Sequence, residues 1–94
     1  MTNNNLEISQ KSNINQNEIQ EWIISYLANL LEIKIEKIEL TVPFAHYKLD
    51  SYAVVGLASD LQDWLNIELE PTLIYEYPTI EALTSYLTEE LNIS

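Results

Sequence analysis

The apolar residues near the start of the chain form a single stripe with helical spacing. Between residues 16 and 31 they recur three and four positions apart, which is typical of an α-helix with one buried face. Asn15 and Glu18 have the spacing of a capping box, so we predict that this helix begins at Gln16. We assign the stripe to the core, with no further function; it consists of Ile19, Trp22, Ile23, Tyr26, Leu27, Leu30 and Leu31.

The helical pattern is lost over residues 32–49. Isoleucines alternate there with charged residues, as in a short strand, but an isolated strand has nothing to pair with. We therefore predict a long ordered loop that Ile38, Phe44 and Tyr47 hold against the core. Pro43 prevents a helix from forming within this loop.

Residues 50–94 contain the signals of three more helices. Asp50 is a favourable N-cap for a helix that starts at Ser51 and ends near Asn66. Pro71 suits the first turn of a short helix that continues to about Tyr75. Pro78 ends that helix, and Thr79 caps the last one, at about residues 80–91. The predicted inner face of the helix after Asp50 consists of Val54, Leu57, Ala58, Leu61 and Leu65. That of the last helix consists of Ile80, Leu83, Leu87 and Leu91.

These elements predict an all-α fold, a small irregular four-helix bundle with three main helices and one short helix. The long loop separates the first helix from the second. Residues 1–15 are rich in Asn, Gln and Ser, and we expect them to form a flexible leader. Residues 16–94 would then form one domain, and we expect it to be monomeric.

The charge of the chain is strongly negative and uneven. The formal net charge is −11, and residues 49–94 contain nine carboxylates and no lysine or arginine. Nucleic acids and anionic membranes would repel this half, so we expect partners with basic docking surfaces. The positive side chains all lie before it: Lys11, Lys34, Lys37 and Lys48.

Several kinds of chemistry lack the residues that they need. The chain has no cysteine, which excludes disulfides and thiolate chemistry, and His46 is the only histidine. We expect His46 to be an ordinary surface residue of the loop. No spacing indicates a catalytic triad, a calcium loop or a phosphate-binding glycine loop, so we predict that the protein is not an enzyme. No signal peptide and no apolar run of about 20 residues is present, and we expect a cytoplasmic protein.

The segment LDSYAVVGL contains the strongest candidate for a functional group. It places Ser51 at the predicted start of the second helix, where its hydroxyl should be exposed. The free N–H groups of a first helical turn favour an anion, so a phosphodiester on Ser51 would be stabilised there. Taken alone, however, Asp50 and Ser51 are better explained as ordinary capping residues, which are common in any helix.

Residues 44–87 resemble the carrier-protein family, especially the carrier domains of polyketide assembly lines. Asp50–Ser51–Tyr52 is similar to the D-S-L attachment motif of that family. The block PTLIYEYPTIEAL looks like its downstream signature P-x-T-L-x-F-D-Y-P-T-I-x-x-L, and the spacing between the two blocks also matches. Each motif is weak alone, whereas the two in this order and spacing are specific.

The resemblance implies a prosthetic group, a site and a set of partners. A phosphopantetheinyl transferase would move 4′-phosphopantetheine from coenzyme A to Ser51, beside Asp50, and the thiol of the arm would hold acyl groups as thioesters. The partners expected from the family are an acyl-AMP ligase or acyltransferase and a ketosynthase or other polyketide-pathway enzymes. The implied docking positions are Tyr52, Val55, Gly56, Ser59 and Asp63, with further contributions from Asp50, Asp60 and Glu68.

Three residues depart from the family pattern. Tyr52 stands where leucine is usual, and its ring and hydroxyl could select a particular partner. Lys48 stands where glycine often precedes the attachment motif, which leaves the shape of the loop open. Gly56 lies in mid-helix at a place that is often acidic; it either admits the backbone of a partner or is merely tolerated.

The resemblance leaves more than one type of carrier open. The run AVVGLASDLQDWL resembles carriers that take fatty acyl groups from acyl-AMP-forming ligases, and the initial Met favours a free-standing carrier. One alternative is a peptidyl carrier, although Lys48–Leu49–Asp50–Ser51 lacks the paired glycines that are common there. The other is an acidic helical interaction domain that carries no prosthetic group and does not need Ser51.

Overall fold

A computed structural model describes residues 14–92 of the chain and shows a helical bundle. Two short 3-10 helices, Ile35–Lys37 and Phe44–Tyr47, lie in the loop between the first two helices. The prediction that Pro43 prevents a helix here is wrong, because Pro43 is the N-cap of the second one, where proline is tolerated. The predicted all-α class and the long loop are confirmed. Within the described range the four α-helices are α1 (Gln16–Leu31), α2 (Ser51–Leu65), α3 (Thr72–Glu76) and α4 (Ile80–Glu90).

The predicted leader, residues 1–15, lies almost wholly outside the described residues. Its last two positions are described and belong to the folded part. Ile14 is half-buried and packs against the core, and Asn15 is the N-cap of α1. The division of the chain at residue 15 stays a prediction.

Helix α1 begins at its predicted capping box. The side-chain oxygen of Asn15 accepts the N–H of Glu18 at 2.9 Å, and the Glu18 carboxylate accepts the N–H of Asn15 at 3.2 Å. The helix ends where Glu32 adopts a left-handed conformation, with φ 57°, and its N–H donates to the carbonyls of Ala28 and Asn29. Helix α1 packs against α4, and its buried side chains form the centre of the core.

The loop between α1 and α2 is ordered by buried side chains and by backbone hydrogen bonds. Ile38 and Phe44 are buried, and the hydroxyl of Tyr47 accepts the N–H of Glu39 at 2.9 Å. The N–H of Phe44 donates to the carbonyl of Pro78 at 2.7 Å, just before α4. The loop is thereby attached to the corner between α3 and α4, and all three predicted anchors contact the core.

Helices α3 and α4 follow the predicted order with small shifts of their ends. Pro71 is the N-cap of α3 rather than part of its first turn, and the helix continues to Glu76. The hydroxyl of Thr79 accepts the N–H of Ala82 at 3.0 Å and so caps α4 as predicted. Helix α4 ends at Glu90, and the half-buried Leu91 is its C-cap.

Two buried threonines of α4 were missed by the pattern of apolar residues. Thr84 is fully buried, and within residues 14–92 its hydroxyl has no hydrogen-bond partner. Thr88 is also buried, but its hydroxyl donates to the carbonyl of Thr84 at 2.7 Å. The two buried hydroxyls therefore differ: that of Thr88 makes a hydrogen bond within the described residues, and that of Thr84 makes none.

Replacing Thr84 with valine should raise the free energy of unfolding by about 1 kcal/mol. Valine has nearly the same shape, and the substitution removes the desolvation cost of an unpartnered hydroxyl. Urea denaturation monitored by circular dichroism measures the change. Thr88→Val is the matched control, because it removes a hydrogen bond and should not stabilise. Equal gains from both variants would contradict this explanation.

Candidate functional site

Ser51 is the first residue of α2, and its side chain is exposed, as predicted. Asp50, which precedes it, is the N-cap: its carboxylate accepts the N–H of Ala53 at 2.8 Å. Within residues 14–92 the N–H groups of Ser51 and Tyr52 have no acceptor. These two donors lie at the positive end of the helix dipole, so an anion bonded to the Ser51 oxygen would be stabilised there.

Lys48 takes the backbone conformation that glycine adopts most easily. Its φ and ψ are 59° and 41°, in the left-handed region, and its N–H donates to the carbonyl of Ala45 at 3.0 Å. The loop therefore makes the turn before Ser51 without a glycine. Lysine in place of the usual glycine therefore does not prevent the left-handed turn before the attachment motif.

The region beside Ser51 also contains a small apolar cavity between the loop, α2 and α3. Its volume is about 120 Å³. Tyr75 of α3 lines this cavity and is 62% exposed. The lining consists of Phe44, Ala45, Leu49, Val54, Ile74, Tyr75 and Pro78.

Four of the five predicted docking residues form one exposed ridge along α2. Tyr52 is 88% exposed and Val55 is 50% exposed, and Ser59 and Asp63 continue the same exposed side toward the end of the helix. We call these four residues the docking ridge. Gly56 does not belong to it, because it is half-buried and faces α1. The docking role of all five residues stays a prediction.

Tyr26 of α1 contacts α2 at Asp60 and Gly56. Its hydroxyl donates to the Oδ2 atom of Asp60 at 2.8 Å, and it is the nearest atom to a Cβ placed on Gly56. Burial, followed by the hydrogen bond and the charge of Asp60, raises the pKa of Tyr26 to about 12. The hydroxyl therefore stays protonated at neutral pH and remains a donor.

Two tryptophans extend this contact between α1 and α2. The rings of Trp22 and Tyr26 stack with centroids 5.2 Å apart, and those of Trp22 and Trp64 stack at 5.3 Å. The prediction that Trp22 and Tyr26 belong to the core is only partly right, since both are half-buried at the edge of it. Their spacing of four residues placed them on one face, but no sequence signal showed which residues of α2 they meet.

Replacing Gly56 with alanine should raise the free energy of unfolding by up to about 1 kcal/mol. Glycine is less favourable than alanine inside a helix by about that amount. The added Cβ would lie 3.5 Å from the Tyr26 hydroxyl, an ordinary van der Waals contact, so nothing has to move. Thermal and urea unfolding measure the gain. A loss of stability would show that the seam between the helices is too tight for a methyl group.

Two other residues considered in the sequence, His46 and Glu68, are exposed. His46 is exposed and lies edge-on to Tyr47, with ring centroids 5.7 Å apart. Glu68 is exposed in the connector after α2. Among the side chains of residues 14–92, no cluster of three or more could hold a metal ion. None of the helices in this range has the length and apolar character needed to cross a bilayer.

The comparison with known families identifies the class of protein. Residues 21–87 match the family described as "Phosphopantetheine attachment site". The match covers most of the chain, including the loop, α2, α3 and most of α4, so the chain belongs to this family of carrier domains. Members carry 4′-phosphopantetheine covalently and do not catalyse a reaction themselves. They interact with phosphopantetheinyl transferases and with catalytic domains.

Relatives from polyketide biosynthesis refine the assignment. The acyl carrier protein TtuC of Teredinibacter turnerae is 35% identical over 74 residues, which is 79% of this chain and 85% of that protein. The polyketide synthase PksL of Bacillus subtilis is 31% identical over 77 residues, which is 82% of this chain but only 2% of the synthase. The predicted resemblance to acyl carriers of polyketide type is confirmed.

Solved structures share the same fold. A free-standing peptidyl carrier protein from a secondary metabolic pathway of Acinetobacter baumannii has a TM-score of 0.77 and 36% identity, covering 82% of this chain and 96% of that one. An acyl carrier protein from Anabaena sp. PCC 7120, with a variant phosphopantetheinylation-site sequence, also has a TM-score of 0.77, with 35% identity and coverage of 82% and 88%. A peptidyl carrier is thus no better supported than an acyl carrier.

Proposed function

We propose that Ser51 is the attachment site of the 4′-phosphopantetheine arm, and that the chain delivers acyl groups to enzymes of polyketide or lipid biosynthesis. The observation that carries the proposal is the position of Ser51 within the matched family region, as the exposed first residue of α2. When bound, the arm supplies a terminal thiol that holds an acyl group as a thioester.

The residues around Ser51 suit the attachment reaction. In the transferase reaction a bond from the Ser51 oxygen to the phosphorus that bears the pantetheine half of coenzyme A would replace the pyrophosphate bond. Adenosine 3′,5′-bisphosphate would leave and take up the serine proton, so that the exchange balances. The N–H groups of Ser51 and Tyr52 would then face the charged phosphodiester, whereas the Asp50 carboxylate is already held by Ala53.

The expected partners follow from the class and from the charge of the chain. After the transferase, they are an acyl-AMP ligase or acyltransferase that loads the arm and a ketosynthase or related enzyme that uses the acyl group. The excess of carboxylates after residue 49, which includes Asp63 of the docking ridge, supports partners with basic surfaces. We further propose a monomer that works in the cytoplasm.

A peptidyl carrier is the second candidate, and one observation favours it. The Acinetobacter structure, which shares 36% identity and the fold, is a peptidyl carrier protein. The two candidates use the same arm on the same serine and differ in the loading enzyme. They are separated by offering the chain with its arm a fatty acid and an acyl-AMP ligase, or an amino acid and an adenylation enzyme.

Intact mass spectrometry tests the attachment site directly. The protein is weighed before and after incubation with coenzyme A and a broad-specificity phosphopantetheinyl transferase, and fragmentation locates the added group. We expect a single phosphopantetheine increment on the peptide that contains Ser51. An increment on another residue would refute the site, and no increment on a folded, initially unmodified chain would refute the proposed function.

A further inference from the structure

The side of α2 that faces α1 is already occupied within the protein. Trp22 stacks on Trp64, and Tyr26 contacts both Asp60 and Gly56. The two helices are therefore antiparallel at this contact: Trp22 lies opposite Trp64, and Tyr26, one turn later on α1, lies opposite Asp60, one turn earlier on α2. A partner that approached α2 from this side would meet the rings of α1 first.

The two carboxylates on this half of α2 therefore differ in their availability. Asp60 and Asp63 are both exposed, but the hydroxyl of Tyr26 donates to the Oδ2 atom of Asp60 at 2.8 Å and holds that carboxylate toward α1. Asp63 lies on the docking ridge and has no hydrogen bond within residues 14–92. A cation of a partner can use both oxygens of Asp63, whereas a bidentate pair with Asp60 has to share Oδ2 with the Tyr26 hydroxyl or displace it.

We infer that Tyr26 is a positioning residue that withholds Asp60 from partners, so that a basic partner binds α2 through the docking ridge alone. This inference rests on the proposed function, because it concerns the proteins that meet α2 beside Ser51. It reassigns two of the residues implied by the family resemblance. Gly56 and Asp60 serve the contact with α1 rather than the contact with a partner.

The docking ridge also defines the chemistry of the partner surface. Tyr52 and Val55 require an apolar recess, and Asp63 requires a lysine or arginine. Asp63 lies eight positions after Val55 along the helix, so the partner must place its cation about 12 Å from the recess. The Tyr52 hydroxyl adds a polar group at the rim of the recess, next to the attachment serine.

Binding of the phosphopantetheinyl transferase provides the test, with a chain that it cannot modify. All variants carry Ser51→Ala, and their Kd values for the transferase are measured by titration calorimetry at low ionic strength, where charge contacts are least screened. The single variants are Asp63→Asn, Asp60→Asn and Tyr26→Phe, and Glu89→Gln on α4 is the control for general loss of charge. Phenylalanine keeps the aromatic stack and removes only the hydroxyl.

We expect Asp63→Asn to raise the Kd three- to fivefold, the size of an exposed ion pair. Asp60→Asn should raise it by less than about twofold, no more than Glu89→Gln does, because it removes only distant attraction. Tyr26→Phe should lower the Kd, and in that background Asp60→Asn should raise it about threefold, since the carboxylate has become available. Only a positioning role predicts this change in the effect of Asp60→Asn.

Two outcomes would overturn the inference, and they are distinct from a failure of the proposed function. If Asp60→Asn weakens binding as much as Asp63→Asn does, Asp60 takes part in docking in spite of Tyr26. If the effect of Asp60→Asn is the same with and without the Tyr26 hydroxyl, Tyr26 does not control it. If the transferase binds no variant and does not modify the chain with Ser51 intact, the proposed function fails, and this inference fails with it.

Discussion

Replacing Ser51 with alanine should abolish addition of the phosphopantetheine arm and leave the fold unchanged. The side chain is exposed and makes no hydrogen bond to another residue of the described range, so its loss should change the free energy of unfolding by no more than about 0.5 kcal/mol. The cap of α2 is untouched, because the Asp50 carboxylate accepts the N–H of Ala53. Intact mass after incubation with coenzyme A and a transferase measures the first effect, and a thermal melt measures the second.

Ser59→Ala is the matched control for this prediction. Ser59 lies on the same helix and is also exposed, but it has no place in the attachment motif. The Ser59→Ala protein should be fully modified on Ser51. Its rate of modification can change only through the contact that Ser59 makes with the transferase as part of the docking ridge. An arm found on the Ser51→Ala protein would show that another hydroxyl accepts it. An unfolded Ser51→Ala protein would show that the serine is needed for the fold.

Replacing Leu61 with alanine should lower the free energy of unfolding by about 3 kcal/mol. Leu61 is 0% exposed and lies on the core face of α2. Removing its buried methyl groups loses their transfer free energy and leaves a cavity that the neighbouring helices fill only in part. For a domain of this size such a loss is a large part of the total stability. Urea denaturation followed by circular dichroism gives the value.

Leu30→Ala is the same substitution on α1, at a residue whose place in the apolar stripe predicted burial; that prediction is wrong, because the side chain is 43% exposed. It should cost less than about 1 kcal/mol, because little buried area is lost and alanine favours the helix. The difference between the two variants isolates the contribution of burial. If the two costs were equal, the burial of Leu61 would not explain the stability of α2.

The loss of stability caused by Leu61→Ala should also limit the temperature range in which Ser51 accepts the arm. Ser51 is presented by the first turn of α2, and that helix is held in place by its five buried residues rather than by contacts of Ser51 itself. A chain with Leu61→Ala should still accept the arm at low temperature, where it remains folded. It should lose this ability as it unfolds, at a lower temperature than the unsubstituted protein. Rates of arm addition across the melting range check this coupling.

The helices and the position of Ser51 at the start of α2 were predictable because their signals are local. A capping side chain acts within three residues, as Asn15, Asp50 and Thr79 do, and one helical face repeats every three or four residues. The five buried residues predicted for α2 are the five that the structure buries. The motif around Ser51 is local as well, and so its position at the start of α2 followed from the same signals.

Contacts between distant segments were decided only by the tertiary structure. Asp60 and Tyr26 are 34 residues apart, and no local pattern shows which turn of α2 lies opposite Tyr26. Thr84 and Thr88 are buried although threonine is polar, because they complete the inner face of α4 once the other helices have packed. The side of α2 that remains open to partners is therefore a property of how α1 packs on α2. The sequence by itself determined the helices, their approximate ends and the serine at the start of α2, since these depend on neighbours along the chain, whereas the exposed docking ridge depends on neighbours in space.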